Sequence, residues 1–169
     1  RTKSREFSLF GPDSRYTDDS VLTVAVAKAI LTDGDYRKAV LEFGRRYPNA
    51  GYGGFFMNWL NSPDPRPYNS WGNGSAMRVS PVGFAFDSVE DVLREAQRSA
   101  EFTHDHPEGI KGAQATALAV FLARTEWDKD LIRSEVTSRF GYDLHRTVDE
   151  IRPEYGFDES CQRTVPEAI

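Results

Sequence analysis

The segment from Asp19 to Leu31 constrains this chain more than any other. Val21, Leu22, Ala25, Val26, Ala29 and Ile30 recur at helical spacing and spread over a wide face. A helix that apolar has to be buried. Directly before it stand Tyr16-Thr17-Asp18-Asp19-Ser20, a hydroxyl and two adjacent carboxylates placed at the helix mouth. Hard cations such as Mg²⁺ take oxygen ligands, a few carboxylates plus waters, and a Thr-Asp-Asp step can supply three. The same residues are also ordinary helix-start chemistry, since Asp and Ser cap helices and first-turn acids favour the helix dipole. This stretch alone leaves both readings open.

The rest of the chain repeats the helical pattern. Residues 1–17 read as loop or extended chain. Thr32-Asp33-Gly34-Asp35 breaks the first helix, and Tyr36 to Tyr47 forms a second with Ala39, Val40 and Phe43 inward. Gly53 to Leu60 reads as a short aromatic helix, and the proline-containing stretch Asn61 to Trp71 as a loop. Asn73 to Phe86 reads as a small-residue helix interrupted near Pro81. Ser88-Val89-Glu90-Asp91 resembles a capping box and opens a helix to about Phe102. His106-Pro107-Glu108 starts the next, running to Arg124, whose Gly112, Ala113, Ala115, Ala117 and Ala119 suit close packing. Lys129 to Phe140 is ended by Gly141, and Thr147 to Ile151 makes a last short helix. With no convincing strand or repeat, the expected class is all-α: a compact orthogonal multi-helix bundle, one domain over residues 1–169.

Composition narrows the function. A formal net charge of -5 argues against a broad nucleic-acid-binding surface. An anionic ligand would need a local site, such as the free N–H groups at a helix start. The single cysteine, Cys161, excludes an intrachain disulfide and is compatible with a reducing cytoplasm. No run reaches membrane-spanning length and no secretory signal opens the chain, so a cytoplasmic monomer with no membrane association is expected. The chain opens on Arg1 rather than Met. Pro166-Glu167 near its end reads as the start of a helix that is then absent. Both ends suggest a piece of a longer protein.

Two further stretches carry chemistry. Ser70-Trp71-Gly72-Asn73-Gly74-Ser75-Ala76-Met77-Arg78 sets glycines around Asn73 directly before a helix. Glycine lets a backbone approach a ligand closely, a helix start offers N–H groups to phosphate, and Trp71 can stack on a flat ring. Asn-Gly is equally a common turn pair. Ala50-Gly51-Tyr52-Gly53-Gly54 is a similar approach to a helix, either a second wall for an anion or a tight connection. Thr103-His104-Asp105-His106-Pro107-Glu108 invites a zinc reading, but no third soft ligand follows at a metal-like spacing. A helix-entry histidine against a ligand is the better account. No Gly-x-Ser-x-Gly elbow, Walker loop or dinucleotide fingerprint occurs, and Cys161 lies in a polar tail with no histidine near it in sequence.

In their fixed order, Thr-Asp-Asp-Ser, Gly-Asn-Gly-Ser-Ala-Met-Arg-Val and Thr-His-x-His-Pro-Glu-Gly resemble the ADP-ribosylglycohydrolase family, whose members include the dinitrogenase-reductase-activating glycohydrolase. The likeness runs from about Phe7 to Ile169. It implies an all-α fold, two Mg²⁺ ions, and removal of ADP-ribose from a modified protein side chain or a small conjugate. It implies Thr17, Asp18 and Asp19 as metal ligands. It also implies Gly51, Tyr52, Gly53, Ser70, Trp71, Gly72, Asn73 and Gly74 as the cradle of diphosphate and ribose, with His104 against the ligand. Such chemistry would pass through an oxocarbenium-like transition state.

The chain also departs from the family pattern. The family's C-terminal Asp-x-Asp-Ser/Thr metal motif does not occur in it, and the family's glycine-rich helix with its acidic residue would precede Arg1. Glu6 belongs to the stretch after that helix. The resemblance therefore places half of the metal shell in these residues and the general acid or base outside them. A non-catalytic ADP-ribose-binding protein on the same fold is the alternative, and a helical interaction domain without a ligand is a third. The 169-residue chain by itself is expected to show weak Mg²⁺ affinity and little or no hydrolysis. Magnesium-dependent turnover by a product of verified mass would contradict that.

Overall fold

A computed structural model describes residue 6, residues 8–12 and residues 14–169. The expectations for Arg1 and Phe7 lie outside the described residues. Among the described residues ten helices form in chain order: α1 (Asp18–Ile30), α2 (Tyr36–Arg46), α3 (Gly54–Asn61), α4 (Gly74–Met77), α5 (Ser80–Ala85), α6 (Val89–Glu101), α7 (Pro107–Thr125), α8 (Lys129–Phe140), α9 (Val148–Ile151) and α10 (Cys161–Ala168). Among the described residues there is no sheet, only an isolated antiparallel bridge between Gly72 and Ser160. The fold is all-α.

Local chemistry sets most helix boundaries. The Asp35 carboxylate accepts from the Lys38 amide at 2.9 Å and starts α2. The Asp128 carboxylate accepts from the amides of Asp130 and Leu131 and starts α8. Gly141, at φ 68°, ends α8 in the left-handed region, where glycine avoids the Cβ clash. The Ser88 hydroxyl accepts from the Asp91 amide, while the Asp91 carboxylate receives the Ser88 O–H rather than its N–H. The full reciprocal capping box occurs instead at α9, between Thr147 and Glu150.

Helix α7 is the axis of the molecule, touching α4, α5, α6, α8 and α10. Its buried Gly109, Gly112, Ala113, Ala115 and Ala117 let neighbouring backbones come close. On one side lies the larger core, built from Leu22 and Val26 of α1, Val40 of α2, Trp59 and Leu60 of α3, Val82 of α5, Val92 of α6 and Leu118 of α7. On the other, Ala76, Ala115, Val136, Tyr142, Cys161 and Val165 form a smaller one. Helix α1 is covered by α2 and α5, as its apolar face requires. No described helix is long and apolar enough to cross a membrane.

Two expectations need correction. The stretch Asn73 to Phe86 is two helices, not one interrupted near Pro81. The chain bends at Arg78-Val79, and Pro81 sits in the first turn of α5, where its missing N–H costs no helical bond. Cys161 does not lie in a polar tail, and Pro166-Glu167 does not announce an absent helix. Cys161 opens α10 and is fully buried, and Pro166-Glu167 falls inside that helix. Its apolar stripe toward the core is only Cys161 and Val165, too short a period to show in the sequence.

The approach of α5 to α7 gives a test. A Cβ on Gly83 would lie 2.6 Å from the Ala117 carbonyl oxygen and 2.8 Å from Val120. Gly83→Ala should therefore destabilise the chain by about 1–3 kcal/mol in urea unfolding. Gly156→Ala, where a Cβ meets nothing within 4 Å, should leave the midpoint nearly unchanged.

Candidate active site

A cleft of about 980 Å³ opens where the N-terminal ends of α1, α3 and α4 meet. That volume is at the upper end of the range for small-ligand sites. Asp18 and Asp19 line it from α1, Gly51 to Phe56 from the approach to α3, and Ser70 to Gly74 from the approach to α4. Residues widely separated in sequence thus share one cavity: Asp18, Asp19, Gly51, Tyr52, Gly53, Ser70, Trp71, Gly72, Asn73, Gly74 and His104. Thr17 is not in its wall. The Thr17 hydroxyl donates to the Asp19 carboxylate at 2.7 Å, from just behind it.

The competing capping account of the Thr-Asp-Asp step can now be examined. Helix α1 begins at Asp18 with Thr17 as its cap residue, and no side chain makes the cap bond. The Asp18 amide donates instead to the Ala50 carbonyl at 2.9 Å, which ties α1 to the Gly51 loop. The two acids still favour the helix dipole from the first turn.

The loop before α4 is held from behind. The Gly72 amide donates to the Ser70 hydroxyl at 3.1 Å and the Asn73 amide to the Glu159 carbonyl at 2.7 Å. Neither is left over for a ligand. Gly74 lines the cleft at the first residue of α4, where amides lack a helical acceptor. The Cys161 amide donates to the Trp71 carbonyl and its thiol to the Gly72 carbonyl at 3.1 Å. Burial pushes that thiol up to about 11, so it is a structural thiol rather than a nucleophile. Gly109 explains the glycine after His-Pro-Glu: a Cβ there would lie 2.5 Å from the Ser70 carbonyl oxygen.

His104 is 4 % exposed and sits beneath this loop, its ring close against Gly74. Burial, with the positive charge of Arg78, pushes its pKa down to about 3, so it is neutral across the physiological range. His106 does different work: its Nδ1 accepts from the Glu108 amide and caps α7. The two histidines do not converge, and among the described residues no three of His, Cys, Asp and Glu could hold a metal ion together.

Sequence reasoning gave no role to Phe55, Tyr68, Asn69, Arg78 or the segment Phe157-Asp158-Glu159, all of which line the cleft. The last of these reaches the site through the Gly72–Ser160 bridge, a pairing across most of the chain that leaves no local signature. Exposed aromatic rings of Phe55, Trp71 and Phe157 stand at the rim. The charged residues among those lining it are Asp18, Asp19, Asp158, Glu159 and Arg78, with the Asp158 carboxylate held by the Ser160 amide and hydroxyl and by Arg163.

The sequence pattern of the ADP-ribosylglycohydrolase family matches residues 2–167. The chain belongs to that family. It is 35 % identical to mouse ADP-ribosylhydrolase ARH3 over 127 residues, 64 % of this chain and 34 % of the relative. The human protein of that name is also 35 % identical over 127 residues, 64 % of this chain and 35 % of its own length. The zebrafish protein is 33 % identical over 128 residues, again 64 % of this chain and 35 % of the relative. The chain spans about a third of the length of the curated relatives it matches. The family is one of hydrolases, and its all-α architecture is the one seen in this chain.

The neutral buried imidazole makes stability depend on pH. Below about pH 6.5 the unfolded chain binds a proton at His104 that the folded chain refuses until near pH 3. This contribution is present above the unfolded pKa and is lost as pH falls through that window. Between pH 7.5 and 5.5 it should remove about 1.4 kcal/mol. Urea midpoints of the native chain and His104→Gln at both pH values check this: the variant should show a smaller loss.

Proposed function

We propose that the cleft binds ADP-ribose and that the complete protein hydrolyses the glycosidic bond joining ADP-ribose to an ADP-ribosylated protein or a small conjugate. The observation that carries this reading is the meeting of three helix N-termini, two with glycine-rich approaches, around one cavity. Helix starts present N–H groups and the positive ends of their dipoles, which suit a diphosphate. The rim rings of Trp71, Phe55 and Phe157 offer flat apolar surface for an adenine. Membership of the ADP-ribosylglycohydrolase family and the likeness to proteins named ADP-ribosylhydrolase support the same substrate class.

Mg²⁺ is part of the proposal. The donors at the mouth of α1 are all hard oxygens, Asp18, Asp19 and Thr17, which suits an ion that takes one or two carboxylates and keeps several waters. A doubly anionic ligand beside the Asp18 and Asp19 carboxylates also needs a cation to offset the charge. When bound, Mg²⁺ would orient ribose hydroxyls and polarise an attacking water. The chain's own residues do the rest. The Gly72 to Gly74 backbone, held by Glu159 and Cys161, gives the ligand a rigid wall. Gly51 and Gly53 admit it closely on the other side, and the aromatic rim excludes water.

ADP-ribose should raise the melting temperature of this chain by linkage, about 2.7 kcal/mol of stability at a hundredfold excess over Kd, and more strongly with Mg²⁺ present. Asp18→Asn should abolish the Mg²⁺ enhancement. In the complete protein it should lower hydrolysis by at least roughly a hundredfold. No thermal shift with ADP-ribose, with or without Mg²⁺, would overturn the proposal. A shift with normal turnover in Asp18→Asn would remove Asp18 from the metal site.

A further inference from the structure

Beneath the Gly72 to Gly74 loop, Arg78, Thr103 and His104 form a buried chain of hydrogen bonds. Arg78 is 0 % exposed, and among the described residues its Nε and Nη1 find no hydrogen-bond partner. Its Nη2 donates to the Ser99 carbonyl at 2.8 Å and to the Thr103 hydroxyl at 2.9 Å. The guanidinium lies over the Phe102 ring, 4.7 Å from its centroid, which fixes its plane. Although burial brings its pKa down to about 10, Arg78 remains a cation at neutral pH and can only donate. The Thr103 oxygen therefore accepts from Arg78 and keeps its own proton to give.

Two acceptors stand near that proton. His104 Nδ1 is 2.8 Å from the Thr103 oxygen, and the Ala100 carbonyl is 3.3 Å away. The Ala100 oxygen already accepts from the amides of Thr103 at 3.1 Å and His104 at 2.8 Å. A carbonyl has two lone pairs, so a third, longer bond there is weak. Nδ1, nearer and not already shared, is the better-placed acceptor for the Thr103 proton. In a neutral imidazole one nitrogen accepts and the other donates, so a proton given to Nδ1 puts the ring proton on Nε2. Nε2 has no protein partner among the described residues, lies at the cleft wall, and is 3.0 Å from where a Gly74 Cβ would stand.

We propose that Thr103, its hydroxyl aimed by Arg78, is a positioning residue that holds His104 as the Nε2–H tautomer, so that His104 donates one hydrogen bond to an oxygen of the ligand in the cleft. This rests on the reading of the cleft as an ADP-ribose site. It gives the buried cation a local role: a donor-only group behind Thr103 occupies one lone pair of its oxygen and leaves the hydroxyl proton to be given. It also explains the absence of a side chain at Gly74, which would cover Nε2.

The test uses this chain labelled with ¹⁵N-histidine, whose three imidazoles are few enough to assign. At neutral pH without ligand, His104 should carry its proton on Nε2. Thr103→Val, nearly isosteric, should lose that bias, and Thr103→Ser should restore it. In calorimetric titrations with ADP-ribose, Thr103→Val should bind about tenfold more weakly than the native chain, and Thr103→Ser within about twofold. A native His104 protonated on Nδ1, or a Thr103→Val chain that keeps both tautomer and affinity, would overturn the proposal. A native chain with the Nε2–H tautomer that binds no ADP-ribose would uphold the positioning of His104 and sink the ADP-ribose reading instead.

Discussion

The close approach of backbone to backbone along α7 is the constraint on which this structure depends. Gly109 receives the carbonyl of Ser70, Gly112 the side chain of Cys161, and Ala117 the backbone of Gly83. The first two contacts place parts of the cleft, and the third seats α5. Ser70 carries the loop before α4, Cys161 pins Gly72 from behind, and Gly83 draws α5 against the same helix. An ordinary amphipathic helix would hold its neighbours further off. The axis therefore acts less as a filler of apolar volume than as a ruler that sets how deep each loop sits.

The cleft combines features that would be costly apart. Acidic residues line the cleft around three positive helix ends. Arg78 is fully dehydrated; its Nη2 is held by a carbonyl and a hydroxyl and its plane by a ring, while its Nε and Nη1 find no partner among the described residues. A carboxylate in that place would neutralise the field that keeps His104 uncharged.

Much of this was legible in the chain, and the limits have physical causes. The burial of Val21, Leu22, Ala25, Val26 and Ala29 follows from a long helical period, and Gly141 from the left-handed turn it makes. Asp18, Gly53 and Gly72 stand out because turns and helix starts are written in a few consecutive residues. Thr103 and Arg78 do not stand out, because 25 residues separate them and each has an ordinary local role. Phe157, Asp158 and Glu159 are invisible to any local rule, since a bridge to Gly72 brings them in. Helix α10 escaped because two buried residues make no period.

That bridge has a consequence for how the protein is made. Synthesis runs from the N-terminus, and the loop carrying Trp71, Gly72 and Asn73 leaves the ribosome long before Glu159 and Cys161 exist to hold it. Until then one wall of the cleft lacks its backing, and its carbonyls and amides remain in water. Closing it means joining residues 89 positions apart, among the more costly loop closures in the fold. The loop before α4 thus takes its observed backing only once residues 159–161 have been translated, well after most of the larger core.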